Sequence, residues 1–252
     1  MKKLLPFALA LLIFSSCTKN DDDNTPKSLL LKRSIEKTLE DGTFTSDYEY
    51  NGNRITKITY TNELYYPDGT YEVFNYKNDH LTSTKFFIAN AFTERKTFEY
   101  NDKGKLISIY IEGDDPELAD KTIFSYNDNG TIKTEQFIIS IEDEETLEEL
   151  SSTSILTLSN GNIIKNEVIY TTGEKMTTTS SYDSFNSPLK SAFANDVLVL
   201  STLEGGPNNI ISQTISQDNE SDIITNFNIE YNSSGYPTSI SHPQLKGEYI
   251  YY

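Results

Sequence analysis

The chain reads as all-β: an antiparallel meander of β-hairpin repeats, about eight units of roughly 25 residues, in a curved or partly closed sheet with at most short helical inserts. Three features of its 252 residues predict this. A turn signature recurs along the chain, an aromatic residue followed by Asn or Asp, a few polar residues and then an aliphatic one. The segments before each turn alternate aromatic and polar residues, as in Phe98-Glu99-Tyr100 and Phe124-Ser125-Tyr126, the period of a half-buried strand. Finally, the apolar share is 36% even with 17 Tyr included, against roughly 45–50% for an ordinary domain, so the core must be thin and spread along the chain.

Three segments follow in order: an export signal at residues 1–16, a cysteine and acidic tether at 17–27, and the repeat domain at 28–252. Lys2 and Lys3 precede an apolar run from Leu4 to Phe14, 11 residues long and well short of the roughly 20 that a spanning helix needs. The run closes on Ser15, Ser16 and Cys17, the only cysteine in the chain. This ending resembles the lipobox of bacterial lipoproteins, although Phe14 stands where Leu is usual. The resemblance implies cleavage between Ser16 and Cys17, acylation of the thiol, and a stable lipid anchor in a membrane. The competing readings are an ordinary buried thiol, or a precursor cut elsewhere.

Residues 18–27, Thr-Lys-Asn-Asp-Asp-Asp-Asn-Thr-Pro-Lys, hold no large apolar side chain and form a solvated tether with an rms span of about 17 Å. The Lys-then-acid run resembles the export signal of Bacteroidota surface lipoproteins, which implies an outer-membrane protein displayed on the cell surface. A charged linker on a periplasm-facing lipoprotein is the alternative.

In the repeat domain the anchors are Tyr50, Tyr76, Tyr100, Tyr126, Leu158 as a weaker copy, Tyr182 and Tyr231, with spacings of 26, 24, 26, 32, 24 and 49 residues. The last gap is two periods, and Gly206 to Ile211 reads as a divergent eighth unit within it. In each unit Asn or Asp starts the turn by bonding its own backbone, Gly supplies positive φ, and Leu or Ile re-enters the sheet. Tyr buries its ring while its hydroxyl finds a partner, which supplies core where Leu and Val are scarce. From about residue 47 onward the pattern resembles the tyrosine-aspartate (YD) repeats of Rhs-type proteins and, more closely, uncharacterised Bacteroidota surface lipoproteins. Asp follows the anchor only at Tyr182, with Asn after Tyr50, Tyr100, Tyr126 and Tyr231. Eight hairpins give about 16 strands, a flat sheet near 75 Å wide, and sheets of that size curl or split. Tyr249 to Tyr252 reads as a final edge strand. Two inserts break the period: Glu142 to Leu150, acidic and suited to a short helix, and Lys190 to Leu203, with the apolar run Val197 to Leu200.

The chemistry-bearing residues are few. A formal charge of −17 repels nucleic acid and anionic lipid headgroups. Glu142, Asp143, Glu144, Glu145, Glu148 and Glu149 could hold calcium, as could Asp114, Asp115, Glu117 and Asp120, but a solvated surface explains both clusters. Asn127-Asp128-Asn129-Gly130 imitates part of a calcium loop while occupying the repeat's turn slot. His80 and His242 have no local catalytic partner, and no nucleophile elbow is present. Tyr65, Tyr66 and Tyr71 could stack on a sugar or peptide, although packing on the sheet is the simpler role. The expectation is a non-catalytic protein without cofactor or metal, serving a structural or binding role, with the membrane as one partner and a glycan or protein ligand left open. Two alternatives stand: an accessory of nutrient uptake that binds glycan or peptide, and a hydrolase.

Overall fold

A computed structural model describes residues 28–142, 145–192, 200, 202–203, 205–218 and 220–252. The export signal, Cys17, the tether, Asp143, Glu144 and Val197 to Val199 lie outside them. The strands are β1 (Leu31–Thr38), β2 (Thr43–Asn51), β3 (Arg54–Thr61), β4 (Tyr71–Lys77), β5 (His80–Ile88), β6 (Ala91–Tyr100), β7 (Leu106–Glu112), β8 (Leu118–Tyr126) and β9 (Ile132–Glu142). They continue as β10 (Glu145–Ser159), β11 (Asn162–Tyr170), β12 (Lys175–Tyr182), β13 (Ile210–Gln217), β14 (Ile223–Asn226), β15 (Asn228–Tyr231), β16 (Pro237–His242) and β17 (Leu245–Tyr251).

All 17 belong to one antiparallel sheet that curls into a nearly closed barrel. β1 sits between β17 and β2, so the two ends of the chain complete the wall. The seam is at Phe227, where one run of chain is split: β14 pairs back with β13 and β15 pairs forward with β16. Tyr249 to Tyr252 is therefore no edge, because β17 has a neighbour on both sides.

Each unit is built the same way at the end of the barrel where the Asn and Gly turns lie. Tyr50 pairs with Ile55, Tyr76 with Leu81, Tyr100 with Leu106, Tyr126 with Ile132, Leu158 with Ile163 and Tyr231 with Pro237. Tyr182 pairs with Ile210, so residues 183–209 replace a turn, and Gly206 to Ile211 completes the Tyr182 unit. The eighth unit is Tyr251 paired with Leu31, made by joining the chain ends. In all but the Tyr126 unit, one extra residue bulges just after the aliphatic partner; Lys32, Thr56, Thr82 and Ile107 are examples. A bulge bends and twists its strand, and repeating it at one level around the sheet supplies the curl that closes the wall. It also sets which side chains face inward: Ile55, Ile58 and Tyr60, or Leu106, Ile109 and Ile111, spaced three and then two residues apart.

The anchor tyrosines tie neighbouring units together. Tyr50, Tyr100, Tyr126, Tyr182 and Tyr251 donate their hydroxyls to the carbonyls of Leu31, Leu81, Leu106, Ile163 and Pro237 at 2.7 to 2.9 Å. Each acceptor is the aliphatic partner, or Pro237, of the unit before. Tyr76 occupies the same slot with its hydroxyl buried and unpaired, and burial pushes that phenol up to about 12. The turns follow their chemistry: Asn101 Oδ1 accepts from the amides of Lys103 and Lys105 at 2.9 and 3.1 Å, and Gly104 sits at φ +73°.

Of the acidic stretch expected to suit a short helix, Glu142 instead ends β9 and Glu145 to Leu150 belong to β10. Glu148 and Glu149 face Ile139 and Ile138, and pairing with an Ile-rich strand outweighs the helix preference of Glu and Leu. The outward wall carries ion pairs: Arg33 with Asp47 at 2.6 Å, Lys121 with Glu148 at 3.0 Å, Lys165 with Glu167 at 2.8 Å, and Arg95 with Glu112. Exposed pairs of this kind contribute about 0–1 kcal/mol each, so they reveal the solvent around the wall more than they stabilise it.

The tyrosine ties predict a contrast between two conservative changes. Tyr100→Phe strands the Leu81 carbonyl and should lower the unfolding free energy by about 1 kcal/mol. Tyr76→Phe removes a hydroxyl that has no partner and should be neutral or stabilising. Urea denaturation of both variants measures the difference, and equal losses would contradict the pattern.

Candidate functional site

A ring of this many strands is wider than its own side chains fill, which is why large barrels hold water or a plug. Here the described residues between β12 and β13, among them 183–192 and Leu200, lie inside the barrel. Leu189 and Ala192 pack on Ile55 and Ile58, while Leu200, 2% exposed, joins Leu81, Phe98, Leu106, Phe124 and Leu156 in the larger core. The neck of the segment is cross-braced. Asp183 accepts from the Phe185 amide at 3.0 Å, from the Asn209 amide and side chain at 3.1 to 3.3 Å, and from the Tyr231 hydroxyl. A carboxylate offers more acceptor sites than an amide, which suits the one anchor followed by Asp. Gly206 lies so close to Asn162 that a Cβ there would collide with backbone. The Gly205 carbonyl accepts from the Ile163 amide at 2.9 Å and from the Tyr182 hydroxyl at 3.1 Å.

Between this segment and the wall formed by β1, β2, β16 and β17 lie two adjoining cavities of about 300 and 260 Å³. Ser187, Pro188, Gly206 and Tyr249 line both. The first is polar on its wall side, with Ser34, Glu36, Tyr48 and Tyr249; the second is apolar on its wall side, with Phe227, Ile229 and Ile240, and meets Asn208 and Asn209 on the insert. Glu36 points inward because the bulge at Lys32 puts Leu31, Ser34 and Glu36 on the same face. Its stem lies across Gly247, the register partner on β17, where a Cβ would stand 3.7 Å from Glu36 Cγ. No cation pairs with Glu36 among the described residues. Burial raises its pKa, and the Tyr48 and Tyr249 phenols are also held above their ordinary range, first by burial and further by the charge of Glu36.

Most residues singled out from sequence lie elsewhere. His80 packs against the Tyr100 ring at 4.7 Å, and His242 meets the Phe227 ring edge-on at 5.2 Å, on strands β5 and β16. Asn127 and Asn129 bond within their own turn, to Thr131. Asp115 caps the β7–β8 turn by accepting from the Glu117 amide at 2.9 Å, and Asp120 belongs to β8. Glu145, Glu148 and Glu149 are on β10, Glu148 with Lys121; Glu142 ends β9, and Asp143 and Glu144 lie outside the described residues. Among the described residues no three His, Cys, Asp or Glu side chains gather as a metal site. Tyr65 stacks on Phe44, Tyr66 packs against Phe44, Tyr60 and Phe86, and Tyr71 stacks on Phe87 at 4.8 Å.

Sequence reasoning missed Glu36, because Ile35 looks like the inward residue of Ser34-Ile35-Glu36. The spacing of three and then two residues, visible in Ile55, Ile58 and Tyr60, would have placed it.

A half-buried carboxylate whose folded pKa is raised destabilises the fold where it is ionised. Stability therefore falls as pH rises from the unfolded-state pKa, roughly 4.3, through the higher folded value. Glu36→Gln should raise the melting temperature at pH 7.5, and the gain should shrink toward pH 4. A gain independent of pH, or a loss at pH 7.5, would contradict the placement.

Comparison with known proteins finds no matching family model and no curated protein of similar sequence. Among solved structures, a porin-like protein from Bacteroides uniformis shares the fold with a TM-score of 0.55 and 16% identity. The match covers 88% of this chain and 98% of that one, so nearly the whole of each follows one architecture.

Proposed function

We propose that this chain is an outer-membrane lipoprotein, anchored through Cys17 and displayed on the cell surface, whose barrel stands in water and serves a non-catalytic binding role. The observation that carries this reading is the polarity of the wall. Its outward side bears ion pairs, with single exposed apolar residues such as Ile169 and Ile250 between them, while the buried apolar cluster and the described part of the insert lie inside. A spanning barrel has the opposite arrangement, an apolar outer band and a polar lumen. The porin-like neighbour supports an outer-membrane setting, and the lysines, apolar run and Cys17 of the N-terminus support a lipid anchor.

The geometry also supports one orientation of the molecule. β1 starts at Leu31, at the end of the barrel that carries the Asn and Gly turns, and Leu30 accepts from the Tyr252 amide at that end. A tether from Cys17 therefore faces that end toward the membrane and presents the β9–β10 hairpin away from it. The chamber between wall and insert is the binding site on this reading. Glycan binding is a second reading, favoured by a groove of about 750 Å³ where Thr157, Ser159, Thr179 and Ser181 offer hydroxyls and Asn160 an amide.

Phase partitioning in Triton X-114 tests the anchor and the wall together. Wild type should enter the detergent phase and Cys17→Ser, produced without residues 1–16, the aqueous phase. Entry of both into detergent would overturn a water-immersed barrel. External protease should cleave the protein on intact cells, and protection until lysis would overturn surface display.

A further inference from the structure

We infer that the chamber binds a small primary ammonium compound with an apolar body, the ammonium held at Glu36 and the body lying along Phe227, Ile229 and Ile240. This rests on taking the chamber as the binding site and does not depend on where the protein is displayed. Four observations lead to it.

Glu36 is an inward, half-buried carboxylate with no cation beside it among the described residues, and a partly desolvated charge left unpaired carries a cost. A ligand that brings the opposite charge removes that cost. An ammonium has three N–H donors and no acceptor, which matches an acceptor-only carboxylate in a pocket that Tyr48 and Tyr249 also line. The adjoining cavity is apolar on its wall side beyond Tyr249, with Phe227, Ile229 and Ile240, while Asn208 and Asn209 line it from the insert. The combined shape therefore asks for one charged end and one apolar end. Finally, the space is built in. Gly247 leaves room for Ile240, whose Cγ2 would stand 2.7 Å from a Cβ there, and Gly206 lets the returning leg of the insert pass close to Asn162. A guanidinium or a metal ion would satisfy the carboxylate but leave the Ile229 and Ile240 side unfilled.

Calorimetric titration of the full mature lipoprotein in detergent micelles tests this, with 2-phenylethylammonium as the probe and 2-phenylethanol as its neutral analogue. The ammonium should bind wild type, and its affinity should fall by about tenfold or more in Glu36→Gln, the loss expected for one buried charge-assisted contact. Glu49→Gln, at an outward carboxylate near Lys57, should bind as wild type does. The alcohol should bind wild type and Glu36→Gln equally, and more weakly than the ammonium binds wild type. Equal affinity of the ammonium for wild type and Glu36→Gln overturns the assignment of ligand class while leaving a binding chamber in place. No heat from either probe with wild type overturns the chamber as a binding site. Thermal unfolding of Glu36→Gln checks that its barrel is intact.

Discussion

Everything inside this barrel depends on the pairing of the first strand with the last. Leu31 to Thr38 lies against Leu245 to Tyr251 over the full length of β1, and Tyr251 takes toward Leu31 the place that Tyr50 takes toward Ile55. Without that pairing β1 and β17 would be open edges, and the interior would be one face of an exposed sheet. With it, the insert has a wall on every side. The tyrosine tie also passes through the junction, because Tyr50 donates to Leu31 just as Tyr100 donates to Leu81. Ring closure is thus written in the same local chemistry as every other unit.

Closure creates a second constraint. A wall of this circumference encloses more volume than its inward side chains occupy, and an empty apolar interior forfeits packing. The segment between β12 and β13 resolves this by supplying Leu189, Ala192, Leu200 and Leu203 from inside. That answers how a chain poor in Leu and Val assembles a core: it uses aromatic rings on the wall and one folded-in strap. The strap does not fill the interior evenly. The space it leaves beside β1 and β17 is the chamber, and the bulge that curls the wall also turns Glu36 into it. Architecture and candidate site therefore share one cause.

Much of this was legible in the sequence because it is local. The Tyr-Asn-Gly turns, the alternation before them and the number of strands follow from residues a few positions apart. What was not legible is long-range. Ser187-Pro188-Leu189 imitates a return strand, and Gly206 to Ile211 imitates another turn; only the pairing of Tyr182 with Ile210 shows that both belong to one unit with an insert between. Tyr249 to Tyr252 looks like an edge until its partner, more than 200 residues earlier, is known. Glu36 was hidden for a different reason. One extra residue at Lys32 shifts the inward face, and no alternation rule applied residue by residue detects a bulge. The acidic run after Ile141 was misjudged because its own propensity favours helix, while its partner strand does not.

Ring closure is tested most directly by a cross-link between the two ends of the chain. Ile35 and Glu248 are register partners on β1 and β17, and partners in an antiparallel pair stand about 4.5–5.5 Å apart at Cα, within disulfide reach. In a chain with Cys17→Ser, Ile35→Cys combined with Glu248→Cys should oxidise to an intramolecular disulfide that shifts electrophoretic mobility without reductant. Thiols that stay free, or that link only between molecules, would contradict a barrel closed by its own ends.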